Sequence, residues 1–158
     1  SASKHGAETL CHMYNKLHGL RTISLRYFNV YGVRQPLKGQ YAPVIGLFEE
    51  QKKRGEPLTI VGDGEQRRDF THVSDVVNAN ICAMMTNWTG VMNIGSGKNY
   101  SVNELAAMIS DNTVNIPARE GEARETLANC DRAVLMSWSA HYKLEDYFND
   151  PWKGFKKS

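Results

Sequence analysis

The sequence predicts an α/β fold, because short β-prone runs alternate with segments of helical periodicity along most of the chain. Residues 22–27 and 58–61 are compact β-prone runs, whereas residues 7–17 repeat apolar side chains at helical spacing. With 158 residues, the chain is long enough to bury roughly two-thirds of its unfolded surface in a single ordinary domain.

The first segment predicts a helix with one buried face, since its apolar residues recur at i, i+3, i+4 and i+7. These residues are Ala7, Leu10, Cys11, Tyr14 and Leu17. Gly19 supplies the helix stop. After the strand at 22–27, residues 28–41 contain two glycines and a proline and predict a long loop. Loops of that length inside compact domains tend to be functional.

The middle of the chain predicts a helix over 43–54, a strand over 58–61, a turn at 62–64 and a short strand over 69–73. Ser74 or Asp75 is expected to cap the next helix. That helix is expected to bury five apolar residues, Val76, Val77, Ile81, Met84 and Met85.

The last third predicts a strand over 91–94 and a helix over 102–110, which Ser101 and Glu104 open as a capping box. A strand near 113–116 and a loop rich in Glu and Arg over 119–126 follow. Two helices, around 131–137 and 143–149, complete the pattern.

The composition argues against several classes of partner. A net charge of +2 and a pI of about 8.4 are too mild to indicate nucleic acid or an anionic membrane. No apolar run approaches the roughly 18 residues that span a bilayer. The three cysteines are widely spaced and odd in number, which predicts a reducing, cytoplasmic location without disulfides or a zinc site. The histidines form no metal-like cluster, so no metal is expected.

Four segments in order carry a resemblance to one protein family. They are Ser-Ala-Ser-Lys at 1–4, LRYFNVYG at 25–32, LTIVGDGEQRRDFTHV at 58–73, and NIGSG at 93–97 with REGEAR at 119–124. Together they resemble the NAD-dependent epimerase/dehydratase family of extended short-chain dehydrogenases/reductases, in its C-terminal part. Within the family the chain looks closest to UDP-glucose and UDP-N-acetylglucosamine 4-epimerases.

The resemblance implies a catalytic role for Lys4, which matches the Lys of the family's Tyr-x-x-x-Lys pair. The Tyr would immediately precede Ser1, and no G-x-x-G-x-x-G loop for NAD occurs in the sequence. The chain alone is therefore expected to be inactive. In the intact enzyme, a Tyr phenolate would take a sugar proton as hydride passes to NAD, and Lys4 would lower the pKa of the phenol. By the same analogy, Lys4 and Tyr27 contact the cofactor.

Four side chains suit a nucleotide diphosphate. The guanidinium groups of Arg68 and Arg119 can bind phosphates bidentately, Asn29 can donate without adding charge, and Glu122 can accept hydrogen bonds from ribose hydroxyls. By resemblance, these four residues are expected to hold the nucleotide diphosphate. By resemblance, Val44, Thr59 and Val61 line the base pocket, and Phe28 flanks the sugar. Thr126 matches a gate residue beside the sugar's C2 substituent, and its small size predicts tolerance of N-acetyl groups.

The expected organisation follows from the family. Residues 1–31 and about 70–95 belong to a remnant of the dinucleotide-binding sheet. Residues from about 32 to 69 and 96 to 158 form a small α/β nucleotide-sugar-binding portion. A UDP-sugar is the expected ligand and a homodimer the expected assembly.

Alternatives remain at this stage. Arg68 and Arg119 could form surface ion pairs, and Arg67 is expected to be an exposed bystander. The chain could instead derive from a nucleotide-sugar 4,6-dehydratase, or be a non-catalytic nucleotide-sugar-binding or dimerising module. The sequence departs from the family at Val33 and Gly46, each in place of Pro, which predicts looser loops near the nucleotide. It also has Arg132 in place of Lys.

Overall fold

The computed structural model describes residues 2–37, 39 and 42–149. Over these residues the fold is α/β, as predicted. The helices are α1 (Ala2–His18), α2 (Val44–Lys53), α3 (Val73–Met85), α4 (Val102–Ala107), a 3₁₀ helix (Asp131–Met136) and α5 (Leu144–Asn149). The strands are β1 (Ile23–Tyr27), β2 (Asn29–Tyr31), β3 (Leu58–Val61), β4 (Arg67–His72), β5 (Gly90–Ile94), β6 (Asn99–Ser101) and β7 (Thr113–Ile116).

The strands pair in three small sheets. β1 pairs with β5, and β3 pairs with β7, both in parallel. β4 is the central strand of the third sheet, where it runs parallel to β2 and antiparallel to β6. The mostly parallel pairing agrees with the alternation of helices and strands, because parallel neighbours need a crossover connection.

Two apolar clusters form the core. One lies beneath α2 and α4 and includes Tyr31, Phe48, Leu58 and Leu105, all at most 1% exposed. The other joins α3 and β5 to the 3₁₀ helix through Ala79, Ile94 and Trp138 among others.

The apolar faces of α1 and α3 differ from the prediction. No side chain of α1 is buried, and Leu10 and Leu17 are 54% and 69% exposed. Val76 is buried as expected, but the other four residues expected in the core of α3 are exposed: Val77, Ile81, Met84 and Met85. Periodicity identifies which residues share one face of a helix, but it does not show whether another element packs against that face.

Three strand assignments also change, and one of them is β6, a strand of three residues that was not predicted. The predicted loop 28–41 contains β2, a strand of three residues whose partner is β4. β4 begins at Arg67 rather than Asp69, because Arg67–Asp69 pair with β6. Such short strands carry too few residues for alternation to appear in the sequence.

The helix starts are only partly as predicted. The capping box of Ser101 and Glu104 is present and opens α4, which ends earlier than expected. At α3, however, the cap is His72, whose Nδ1 accepts a hydrogen bond from the backbone N–H of Ser74. Accepting at Nδ1 requires a neutral ring, and burial lowers the pKa of His72. Asp75 instead accepts hydrogen bonds from the backbone of His141 and Tyr142.

Gly46 does not loosen the structure as the sequence predicted. It is buried within α2, and a Cβ at this position would lie 2.6 Å from the carbonyl oxygen of Pro36. The glycine therefore lets α2 pack directly against the loop that follows β2.

Candidate functional site

A cavity of about 390 Å³ opens between α2, the three strands β2, β3 and β4, and the segment that follows β7. Its walls contain seven of the residues that the sequence singled out: Asn29, Val44, Thr59, Val61, Arg68, Arg119 and Glu122. Residues from five separate parts of the chain thus meet at one concave surface.

The cationic side of the cavity is built on β4. The side chain of Arg68 is only 12% exposed, and its Nη2 donates to Oε1 of Glu122 at 2.9 Å. Its Nη1 donates to the carbonyl of Arg67 at 2.8 Å. These two bonds fix the plane of the guanidinium group, and the group still lines the cavity. Arg119 lines the same cavity from an exposed position on the neighbouring segment.

We call residues 117–126 the binding loop, since it carries both Arg119 and Glu122. It leaves β7 and returns to β4 at Arg67. There the backbone N–H of Arg67 donates to the carbonyl of Arg124, and the carbonyl of Arg67 accepts from the backbone N–H of Thr126. Arg67 is therefore not the exposed bystander that was expected. Its guanidinium binds Asn99 and Glu104, which ties β4 to β6 and α4.

The rest of the cavity wall is largely apolar. Val44, Val61 and Thr59 line it, together with several residues that sequence reasoning missed: Val30, Tyr31, Ala42, Pro43, Ile45, Leu47, Phe70, Val102 and Ile116. Gln66 was also missed, although it lies in the GDGEQRRDF segment. It is 8% exposed and donates from Nε2 to the carbonyl of Val61. Most of these residues lie one or two positions from a predicted residue.

Four predicted site residues do not line this cavity. Lys4 is exposed in the first turn of α1. Tyr27 lines a separate shallow groove and donates from its hydroxyl to Asn80 at 2.9 Å. Phe28 is half-buried beside β5, and Thr126 bonds the backbone of β4.

The lining suits a ligand that carries both an anionic group and an apolar ring. Two guanidinium groups and an amide favour phosphate oxygens, and the aliphatic wall favours a flat ring. Burial raises the pKa of the Tyr31 phenol, with Asp75 as a further cause, so this group stays neutral near pH 7. The arrangement provides binding groups, but no paired acid and base among the described residues that touch one reacting atom.

The α/β fold is that of an extended short-chain dehydrogenase/reductase. The chain belongs to the NAD dependent epimerase/dehydratase family, which it matches over residues 1–95.

Several relatives show the same class. The chain is 37% identical over 151 residues to a putative UDP-glucose 4-epimerase from Methanocaldococcus jannaschii, covering 91% of this chain and 48% of the relative. The structure of a UDP-N-acetylglucosamine 4-epimerase from Methanobrevibacter ruminantium, in complex with UDP-N-acetylmuramic acid, matches with a TM-score of 0.89 and 34% identity. That match covers 93% of this chain and 50% of the other.

A UDP-glucose 4-epimerase from Thermotoga maritima, solved with UDP-glucose, matches with a TM-score of 0.86 and 34% identity. The match covers 91% of this chain and 48% of that protein. The chain thus spans about half the length of these relatives. No helix among the residues described is long and apolar enough to cross a membrane.

Proposed function

We propose that this chain supplies the nucleotide-sugar-binding half of an NAD-dependent nucleotide-sugar 4-epimerase. One observation carries the proposal: Arg68 and Arg119 line a single cavity whose remaining lining is largely apolar. If Arg68 and Arg119 only formed surface ion pairs, which is the alternative, they would not need to line the same cavity.

The ligand pose follows from the chemistry of the walls. The diphosphate lies between Arg68 and Arg119, and Asn29 donates to a phosphate oxygen. The base lies against Val44, Thr59 and Val61. Glu122 holds Arg68 through Oε1, and its carboxylate accepts a hydrogen bond from the ribose.

Titration calorimetry with UDP tests the diphosphate site. Arg68→Ala and Arg119→Ala should each weaken binding by about tenfold or more, since a hydrogen bond to a charged group contributes roughly 1.5–3 kcal/mol. Arg132→Ala is the matched control, because Arg132 is exposed and lies outside the cavity. Equal affinities for all three variants and the parent chain would refute the proposed site.

The sugar is proposed to be a UDP-hexose or a UDP-N-acetylhexosamine. Thr126 does not line the cavity, so the room for an acetamide group is proposed only from its small side chain and its resemblance to the family's gate residue. Both UDP-glucose and UDP-N-acetylglucosamine should therefore bind in the same calorimeter with affinities within about tenfold of each other. Rejection of the N-acetyl sugar alone would refute the role of Thr126 and leave the diphosphate site intact.

Catalysis by the whole protein is a separate proposal. NAD would supply the hydride chemistry, and Lys4 would act beside a Tyr phenol as the resemblance implies. The Tyr of that pair and a G-x-x-G-x-x-G loop are absent from the 158 residues. The chain alone is therefore expected to bind UDP-sugars without converting them.

We also propose the division of the chain into a dinucleotide-binding remnant (1–31 and about 70–95) and a sugar-nucleotide portion (about 32–69 and 96–158).

The exposed stripe of α1, formed by Leu10, Met13, Tyr14 and Leu17, is the proposed contact of a homodimer. Sedimentation equilibrium should give twice the monomer mass of 17.8 kDa, and Leu17→Glu should return it to the monomer mass. A monomer at all concentrations would exclude this assembly.

A further inference from the structure

The binding loop presents Arg119 and Glu122 from an exposed stretch of backbone. Residues 117–125 are nearly all exposed, and residues 120–121 form a turn in which Gly121 has a φ of +73°. Exposed loops with few buried contacts open readily. The contacts that hold the middle of this loop therefore determine whether the side chains of Arg119 and Glu122 face the cavity.

Two ion pairs hold the middle of the loop among the described residues. The inner pair joins Glu122 to Arg68 within the cavity wall. The outer pair joins Nη1 of Arg124 to Oδ1 of Asp63 at 2.9 Å. The outer pair lines a second, smaller cavity of about 270 Å³ that shares Arg119 and Glu122 with the first.

Asp63 is a firm anchor, because the turn after β3 fixes its position. Its Oδ1 also accepts a hydrogen bond from the backbone of Glu65, and its carbonyl accepts one from Asn103. Gly62 and Gly64 on either side adopt positive φ, which lets the chain make this tight turn. β3 in turn carries Thr59 and Val61 of the apolar wall.

The two ion pairs respond differently to a ligand. A phosphate group that binds Arg68 competes with Glu122 for the same guanidinium, so the inner pair weakens when the site fills. The outer pair does not line the first cavity and keeps both partners.

We propose that Asp63 and Arg124 are positioning residues, whose ion pair holds the binding loop so that Arg119 faces the bound diphosphate and Glu122 faces the ribose. The effect on affinity rests on the proposed function, whereas the effect on loop order does not. The pair lies outside the first cavity, so it is not expected to touch a nucleotide bound there.

The test uses two readouts on the 158-residue chain. Hydrogen–deuterium exchange of the amides of residues 119–122 reports loop order without ligand, and calorimetry with UDP reports affinity. Asp63→Asn keeps an oxygen for the turn but removes the charge, and Arg124→Gln removes the other partner. Asp111→Asn is the matched control, since Asp111 is exposed just before β7, at the end of that strand opposite the loop.

Each single variant of the outer pair should speed exchange at residues 119–122 and weaken UDP binding by about two- to fivefold, the range for an exposed ion pair. The double variant should be no weaker than the worse single variant, and the exchanged pair Asp63→Arg with Arg124→Asp should recover part of the loss. Exchange rates and affinities equal to those of Asp111→Asn would overturn the proposal. If the parent chain itself fails to bind UDP, the proposed function fails, and the exchange rates alone then decide whether the pair orders the loop.

Discussion

Replacing Asp69 with asparagine should lower the free energy of unfolding by about 3–5 kcal/mol, because it removes the charge from a buried hydrogen-bonded carboxylate. Asp69 is 0% exposed in the middle of β4. Its Oδ1 accepts from the backbone and hydroxyl of Ser96, and its Oδ2 accepts from the backbone of Gly97 and Ala128.

An amide at this position cannot accept on both sides. Its NH₂ group would face either the Ser96 donors or the N–H groups of Gly97 and Ala128, so at least one buried donor would lose its partner. The loop 95–97 and the segment after the binding loop are both fastened through this side chain. Its loss should therefore affect two regions that are remote in sequence.

Urea unfolding at neutral pH measures the effect as a shift of the midpoint at constant slope. Asp111→Asn makes the same chemical change at an exposed position and should stay within about 0.5 kcal/mol of the parent. A stability for Asp69→Asn equal to that of this control would show that the buried bonds contribute nothing.

Gly95→Ala is expected to cost about 2–3 kcal/mol through overpacking. A Cβ at Gly95 would overlap the Cβ of Ala128 and approach Oδ2 of Asp69 to 2.8 Å. The φ of Gly95 is not positive, so the penalty comes from lost space rather than from backbone strain. Ala128 and Asp69 cannot move freely, because the backbone N–H of Ala128 donates to Oδ2 of Asp69.

Gly6→Ala is the matched substitution in an open environment. Gly6 lies within α1, and a Cβ added there would meet no atom within 4 Å, so alanine should stabilise the helix by roughly 0.5–1 kcal/mol. Urea midpoints that move in opposite directions for the two variants would confirm that the space around Gly95 matters. A neutral Gly95→Ala would mean that the loop 95–97 shifts at little cost.

The sequence predicted the regular elements best where local chemistry alone determines them. The capping box at Ser101 and the strands β3 and β7 are as predicted, since each depends on neighbouring residues. β2 was missed because its three residues form a strand only by pairing with β4. The exposed faces of α1 and α3 were predicted as core, because periodicity reports amphipathicity and not its partner.

The residues that line the cavity were predictable to a similar degree. The polar residues of the cavity, such as Arg68 and Glu122, could be named from their chemistry and their resemblance to a family. Tyr31 and Phe70 could not, since a buried aromatic residue in a strand usually indicates core alone, and only the fold shows that these also face a cavity. The contact between Arg67 and Glu104 depends on the antiparallel pairing of β4 with β6, which no local pattern encodes.

Three consecutive residues of β4 have three different partners: Arg67 binds β6 and α4, Arg68 faces the cavity, and Asp69 fastens the loop 95–97. Because strand side chains alternate between faces, inserting or deleting one residue before Arg68 would exchange these environments. A deletion would turn the carboxylate of Asp69 toward the cavity, and an insertion would turn the guanidinium of Arg68 toward the buried loop. The length of the chain before Arg68 is therefore as important to this strand as the identity of its residues.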